Sequence, residues 1–392
     1  MIKKLLGTLQ RIALHILDFF CVFFFRLTNK FIFLGNKAPS EHLNDAVYIK
    51  LDALGDFVLW LSSLPEKNID NLSIKTTLII DEKWAPLANA LNIVDELVLV
   101  NTQAFNKFSF YRFSKLRELS NIRCHIAFQC VYSRRSIMCD SVMLMLSAEQ
   151  KVTFPRDYKN NRVTKIEGNI LDRIYTEIVP LPSSDVNEVN LYRHLIMKKF
   201  KRAKYYVPNF DILPSYFEPK PKKGYIVIAP FAGWSRREWP MERYLQIIEW
   251  MFELGSYEII LVGTPSDREG IEKIPIKYKS MFTDLVGKTS IIKYISIIRD
   301  AKLILCNDSS AAHIALVTNT KMVCVLGGGH FGRFLPRDIG NEKTVMYCFE
   351  KMPCFGCNWK CHFELSNDEA VPCISAIKMN EVKIAINRMI GI

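Results

Sequence analysis

The chain has 392 residues, 49% of them hydrophobic, and a formal net charge of +12. That length suits two or three domains, and the apolar share is ample for two cores. The basic balance suits nucleic acid, anionic lipid or anionic small molecules. No zinc-finger, RNP or homeodomain pattern and no arginine-rich block is present, so nucleic acid is not an expected partner.

Residues 1–45 differ from the rest. Ile12 to Leu34 is rich in Phe, Leu and Ile but is broken by His15, Asp18, Arg26 and Lys30. Its uncharged core, Phe19 to Phe25, is far short of the ~20 apolar residues that a spanning helix needs. Lys3, Lys4 and Arg11 give a basic start, yet no small-residue cleavage site follows, so a secretory signal is not expected. The expectation is an interfacial helix on the inner leaflet of a membrane. The alternative is a helix packed on the first domain.

Strands near 46–51, 76–81, 97–100 and 124–129 alternate with helices, including Ser133 to Leu146, and make residues 46–207 one α/β domain. Its first strand runs into a tight loop, Asp52-Ala53-Leu54-Gly55-Asp56, with a helix from Phe57 to Leu64. Gly55 permits close backbone approach. Asp56 stands at the carboxyl end of the strand, where α/β sheets place ligands. Pro208 to Gly224 carries four prolines and the step Lys220-Pro221-Lys222-Lys223-Gly224, which reads as the interdomain linker, 208–224.

A second α/β domain spans 225–379, with strands near 225–229, 257–262, 302–306 and 321–326, and a last helix lies in 380–392. After its first strand comes a glycine-containing loop with Ser235, Arg236 and Arg237, two arginines that suit a diphosphate. After the next come Asp267 and Glu269, in the usual place for an acid on ribose hydroxyls or at a solvated helix start. The third strand hands over to Asn307-Asp308-Ser309-Ser310-Ala311-Ala312-His313. Asp308 or Ser309 can cap the helix that follows, and its free N–H groups favour an anion, a phosphate above all. His313 sits one turn up, able to lean toward the same anion. The run Gly327-Gly328-Gly329 is not a dinucleotide fingerprint, since no G-x-G-x-x-G opens a helix there.

Eleven cysteines occur, four of them as Cys354-x2-Cys357-x3-Cys361-x11-Cys373. In a reducing cytosol such thiols are not disulfides. Four thiolates at this spacing can close a tetrahedral structural site for zinc or iron, with His362 as a spare ligand. The alternative is a surface loop of unligated thiols.

The motifs LDALGD (Leu51 to Asp56), SRREWPMERY (Ser235 to Tyr244), VGTPSDRE (Val262 to Glu269) and NDSSAAHIA (Asn307 to Ala315), in that order, resemble glycosyltransferase family 9, the lipopolysaccharide heptosyltransferase family. The resemblance spans roughly Val47 to Pro336. It implies a GT-B fold, two Rossmann-like domains facing across a cleft, with the last helix crossing back onto the first domain. It also implies inverting, metal-independent transfer from a nucleotide-diphosphate sugar, plausibly ADP-heptose, to a lipopolysaccharide or other surface-glycan acceptor. The expected site follows residue by residue. Asp56 is the base and Arg237 stabilises the leaving diphosphate. Ser235, Arg236, Asp308, Ser309, Ser310 and His313 hold the donor phosphates, with Asp267 and Glu269 toward the ribose. No cofactor is needed for catalysis on this view, and the protein is expected in the cytoplasm, peripheral on the inner membrane. Similar late cysteine clusters occur in some members. The chain departs from the pattern at Ser310, often glycine, and in the longer glycine loop with His330 and Arg333. Two other readings stay open: the same fold with another donor sugar, and a catalytically silent GT-B scaffold.

Overall fold

The structure, a computed structural model, describes residues 16, 20, 45–66, 68, 69, 72–158, 163–182, 187–200, 204–219, 221–337, 343–366 and 369–391. The expected membrane segment, 1–45, thus lies outside the described residues, save for Ile16, Phe20 and Asp45. Among the described residues no helix is long and apolar enough to cross a membrane.

Two sheets of six strands carry the fold. The first comprises β1 (Ala46–Lys50), β2 (Thr76–Asp81), β3 (Glu96–Val100), β4 (Arg123–Gln129), β5 (Ser147–Thr153) and β6 (Glu177–Ile178). Its spatial order is β3-β2-β1-β4-β5-β6, and every pairing is parallel. The second comprises β7 (Tyr225–Ala229), β8 (Glu258–Leu261), β9 (Thr283–Asp284), β10 (Leu303–Asn307), β11 (Met322–Val325) and β12 (Val345–Cys348). It repeats the pattern as β9-β8-β7-β10-β11-β12, again all parallel. This is the doubly wound order of a Rossmann sheet.

The sequence reads so plainly because parallel strands bury both faces and become continuous apolar runs. All five residues of β7, Tyr225-Ile226-Val227-Ile228-Ala229, are buried, as are all five of β10. Four strands of the two sheets escaped the sequence reading, among them β6, which is only two residues long. β5 is polar in its first half (Ser-Ala-Glu-Gln) and half exposed there. β9 is only two residues long. β12 keeps only Cys348 fully buried.

The chain divides into two compact units. The first holds residues up to Ala53, Ser63–Asp185 and Val189–Tyr206; the second holds Leu54–Ser62, Val186–Glu188 and Val207–Ile392. The helix after β1, α1 (Leu54–Leu61), therefore belongs to the second unit, where it packs on α3 (Ser310–Val317). In that unit α2 (Met241–Leu254) buries Tyr244, Leu245, Ile247, Ile248 and Met251 and ends at Gly255 with φ 62°, a left-handed cap that glycine adopts freely. The last helix, α4 (Met379–Ile390), does not leave its own sheet: it buries Val382, Ala385, Ile386 and Met389 and packs on β11, β12 and α2. That packing uses the apolar stripe of α4 within the second unit.

The helix expected over Ser133 to Leu146 is present in part. It forms a π-turn, Ser136–Asp140, running into a short α-helix, Ser141–Met145. Its entry is fixed by buried Arg134, whose guanidinium reaches Asp140 at 3.1 Å and Asp172 at 2.8 Å. Arg156 closes the network on the same two carboxylates at 2.9 and 2.7 Å.

Candidate active site

The second sheet reverses its strand order between β7 and β10, and ligands of doubly wound sheets bind outside the carboxyl ends at that point. The loops leaving these two strands carry Arg237 and Asp308. Asn307, fully buried as the last residue of β10, joins them. Its Oδ1 accepts from Trp239 N at 3.0 Å and from the Tyr244 hydroxyl at 2.9 Å, and its Nδ2 donates to Pro230 O. A buried amide with each group satisfied is a rigid brace. The sequence motif alone assigns Asn307 no role; the signal for it is a polar residue closing a five-residue buried strand.

So braced, the 3-10 turn Ser235–Arg237 delivers Arg237 to Asp308. Arg237 Nη2 donates to Asp308 O at 2.7 Å and stands 3.3 Å from Asp308 Oδ2. The guanidinium also lies over the Trp359 ring, 4.7 Å from its centroid, a contact worth about 0.5–2 kcal/mol. Arg237 Nε is buried without a hydrogen-bond partner among the described residues. Asp308 is 5% exposed. Burial raises its carboxyl pKa, Arg237 pulls it down, and the nearby Asp56 pushes it up again. The carboxylate of Asp308 thus faces Arg237 and does not cap α3. Ser309 holds the N-cap position in extended conformation, and its side chain makes no cap bond. Ser310 lies beside the half-buried Tyr294. The first-turn N–H groups of α3 keep no partner within the helix, as at any helix start.

Asp56 reaches this cluster from α1, which begins at Leu54, three residues earlier than expected, so Asp56 lies in a first helical turn and not at a loop tip. The close approach that Gly55 permits is to α3. A Cβ there would stand 2.8 Å from His313 Cδ2 and 3.4 Å from Ser310 Cα. His313 is buried, and burial together with Arg337 and Arg237 drops its pKa to about 3, so it is a neutral imidazole. The entry to α1 is steadied by Lys50, fully buried, which donates to Asp52 Oδ2 at 2.7 Å and to the Tyr192 hydroxyl at 2.9 Å.

Asp56, Arg237, Asp308, Ser309, Ser310 and His313 are therefore brought together. The remaining expected residues are placed otherwise. Ser235 is exposed. Arg236 turns away, donating to Ser366 O at 3.1 Å. Asp267 completes a capping box with Thr264, accepting from its N at 2.7 Å and its hydroxyl at 2.8 Å. Glu269 is exposed and paired with Lys273 at 2.7 Å, the solvated helix start that was its alternative. Arg333 is paired with Glu188 at 2.6 Å. Glu238, which the sequence reading passed over, is half-buried beside Asp267 and accepts from Ala232 N at 2.9 Å.

The cysteine segment lies next to this cluster. Cys354, Cys357, Cys361 and Cys373 line one cavity of about 20 Å³ together with His362 and Trp359. That volume admits a single small occupant. Gly328 N–H points at Cys373 Sγ, 3.3 Å away. Burial raises the Cys373 pKa, the Gly328 N–H lowers it, and the three other thiols raise it. Among the described residues no three His, Cys, Asp or Glu side chains stand in closed metal-holding geometry. The chemistry of the donor set is that of a soft-metal ligand group: four thiols line one cavity, and an N–H is aimed at one of them.

Residues 190–361 match the family model of glycosyltransferase family 9 (heptosyltransferase). This segment is similar to a glycosyltransferase family 9 domain. The matched span includes Arg237, Asp308, His313 and three of the four clustered cysteines. Solved structures agree on the fold, which is GT-B. E. coli heptosyltransferase WaaC with ADP-2-deoxy-2-fluoro heptose is 16% identical with a TM-score of 0.63, over 88% of this chain and 99% of that one. The family 9 glycosyl transferase from Veillonella parvula is 14% identical with a TM-score of 0.63, over 89% and 97%. The iron-containing dodecameric glycosyltransferase TibC from enterotoxigenic E. coli is 13% identical with a TM-score of 0.53, over 89% and 76%. No curated protein matches the sequence.

Proposed function

We propose that this family 9 domain transfers a sugar, heptose from ADP-heptose in the leading reading, to a hydroxyl of lipopolysaccharide or another surface glycan, with inversion and without a catalytic metal. The observation that carries the reading is the convergence of Asp56, Arg237, Asp308 and the start of α3 at the switch point of the second sheet. A carboxylate, a cation and a row of backbone donors there match the demands of displacing a nucleoside diphosphate.

The step balances as follows. The acceptor oxygen forms a bond to the anomeric carbon from the face opposite the diphosphate. The bond from that carbon to the diphosphate oxygen breaks, and its electron pair leaves with ADP. Asp56 takes the acceptor proton and passes it to water. Arg237 and the N–H groups at Ser309 and Ser310 neutralise the charge growing on the leaving oxygens. These fixed donors do what a divalent ion does in other sugar transferases. Asp308 holds Arg237 in register. Neutral His313 packs α1 on α3 beside these groups. The acceptor belongs to the N-terminal domain expected over 46–207, and the segment 1–45 keeps the protein on the cytoplasmic face of the inner membrane. Cys354, Cys357, Cys361 and Cys373 would hold one zinc or iron, which supplies structural crosslinking and leaves no open position for chemistry.

The WaaC structure, solved with an ADP-heptose analogue, and the TibC structure, named as iron-containing, support the donor class and the metal respectively. The donor half of the reading is tested by calorimetric titration with ADP. Arg237→Ala removes a charge-assisted contact worth roughly 1.5–3 kcal/mol, so affinity should fall by about 10- to 150-fold. Equal affinity in wild type, Arg237→Ala and the Arg236→Ala/Arg237→Ala double variant would overturn it.

A further inference from the structure

The cysteine segment touches the candidate diphosphate site through one side chain. Its loop is laid on the glycine run: Gly356 N–H donates to Gly328 O and Asn358 N–H to Gly329 O, both at 2.8 Å. The fit depends on the glycines. A Cβ at Gly328 would stand 2.1 Å from the Phe355 ring, and one at Gly329 would stand 2.2 Å from the Trp359 ring. Asn358 and Trp359 follow one another with φ of 53° and 59°. Left-handed backbone is uncommon in side-chain-bearing residues and persists where the surroundings impose it.

The product of this arrangement is the position of the Trp359 indole. One face meets the Arg237 guanidinium at 4.7 Å. Its edges meet Trp234 at 6.5 Å and His330 at 6.0 Å, both nearly perpendicular. The indole also lines the four-cysteine cavity. Its Nε1 is buried with no hydrogen-bond partner among the described residues, so packing and the cation contact hold the ring. A guanidinium donates only in its own plane. A ring stacked on its face fixes that plane and consumes none of its N–H groups.

We infer that Trp359 is a positioning residue for Arg237, through which the cysteine loop sets the orientation of the cation and hence the affinity for a nucleoside diphosphate. This rests on the reading of Arg237 as the diphosphate ligand. It gives the left-handed pair and the glycine run a purpose that packing alone does not require, since an apolar side chain of similar size would fill the same space.

The experiment is a double-mutant cycle on the full chain, with ADP as the probe in calorimetric titrations. Trp359→Ala should weaken ADP binding by about 2- to 30-fold, the range of a cation–aromatic contact. Trp359→Phe should recover most of the loss, and Trp359→Leu, which fills space without a π face, should not. In an Arg237→Ala background, Trp359→Ala should cost nothing further. Additive losses in the double variant, or equal affinity of the Phe and Leu variants, would overturn the inference, and the latter pair decides the matter even where the Ala variant does not fold. The two readings separate cleanly. If Arg237→Ala weakens ADP and Trp359→Ala does not, only the positioning role fails. If Arg237→Ala leaves ADP binding unchanged, the diphosphate reading fails and the inference with it.

Discussion

Glu238 shows how a single residue was hidden in a recognisable motif. It lies between Arg237 and the buried Trp239, and its acidic side chain reads as one more polar residue of the loop. In the structure it turns inward to accept from Ala232 N, and burial pushes its carboxyl up to about 7, partly offset by that N–H and reinforced by Asp267. An unfolded glutamate titrates near about 4.3. Between these values the folded chain binds more protons than the unfolded one, so stability falls as pH rises through that window. Glu238→Gln keeps the carbonyl acceptor and cannot ionise. Its melting temperature should exceed that of the wild type at pH 8, with the gap closing near pH 4.5. A gap of equal size at both pH values would show that the carboxyl does not titrate this way. His313 works in the opposite sense: with its pKa dropped to about 3, it withdraws stability as pH falls below the ordinary imidazole range, equally in both proteins. Asp308 and Arg237 were both legible as candidates. Their pairing was not, because 71 residues separate them along the chain.

At the scale of elements, strand-loop-helix units were legible wherever strands are buried on both faces, as in β1, β7 and β10. Boundaries were less so. The helix carrying Asp56 starts at Leu54 because α1 nests on α3, and Gly55 lets the backbones approach; tertiary packing decided the helix start. The π-turn at Ser136–Asp140 was likewise invisible, since the partners that hold buried Arg134 lie in separate elements. The cysteine loop was legible as four thiols with metal-ligand spacing, whereas its docking on Gly327–Gly329 was not. If a metal sits there, protein purified without chelators should contain about one zinc or iron per chain. Cys357→Ser or chelation should then lower the melting temperature, since binding energy in such sites is largely folding energy. Only traces of transition metals, with all four thiols freely titrating, would mean a reduced loop.

For the whole molecule, two sheets of identical strand order explain why the sequence reads clearly: each half repeats one βαβ grammar, and four short motifs fall at the strand ends where that grammar puts ligands. Beyond LDALGD the first half carries no comparable motif, so what it binds is not legible in the sequence. In the proposed function Asp56 is the base for transfer from a nucleotide sugar. Its most direct measurement follows label from sugar-labelled ADP-heptose into envelope glycolipid, comparing wild type with Asp56→Asn at saturating donor. Both proteins should bind the donor alike, and Asp56→Asn should transfer ~10²–10⁴-fold more slowly. Transfer by Asp56→Asn at a near-normal rate would contradict it.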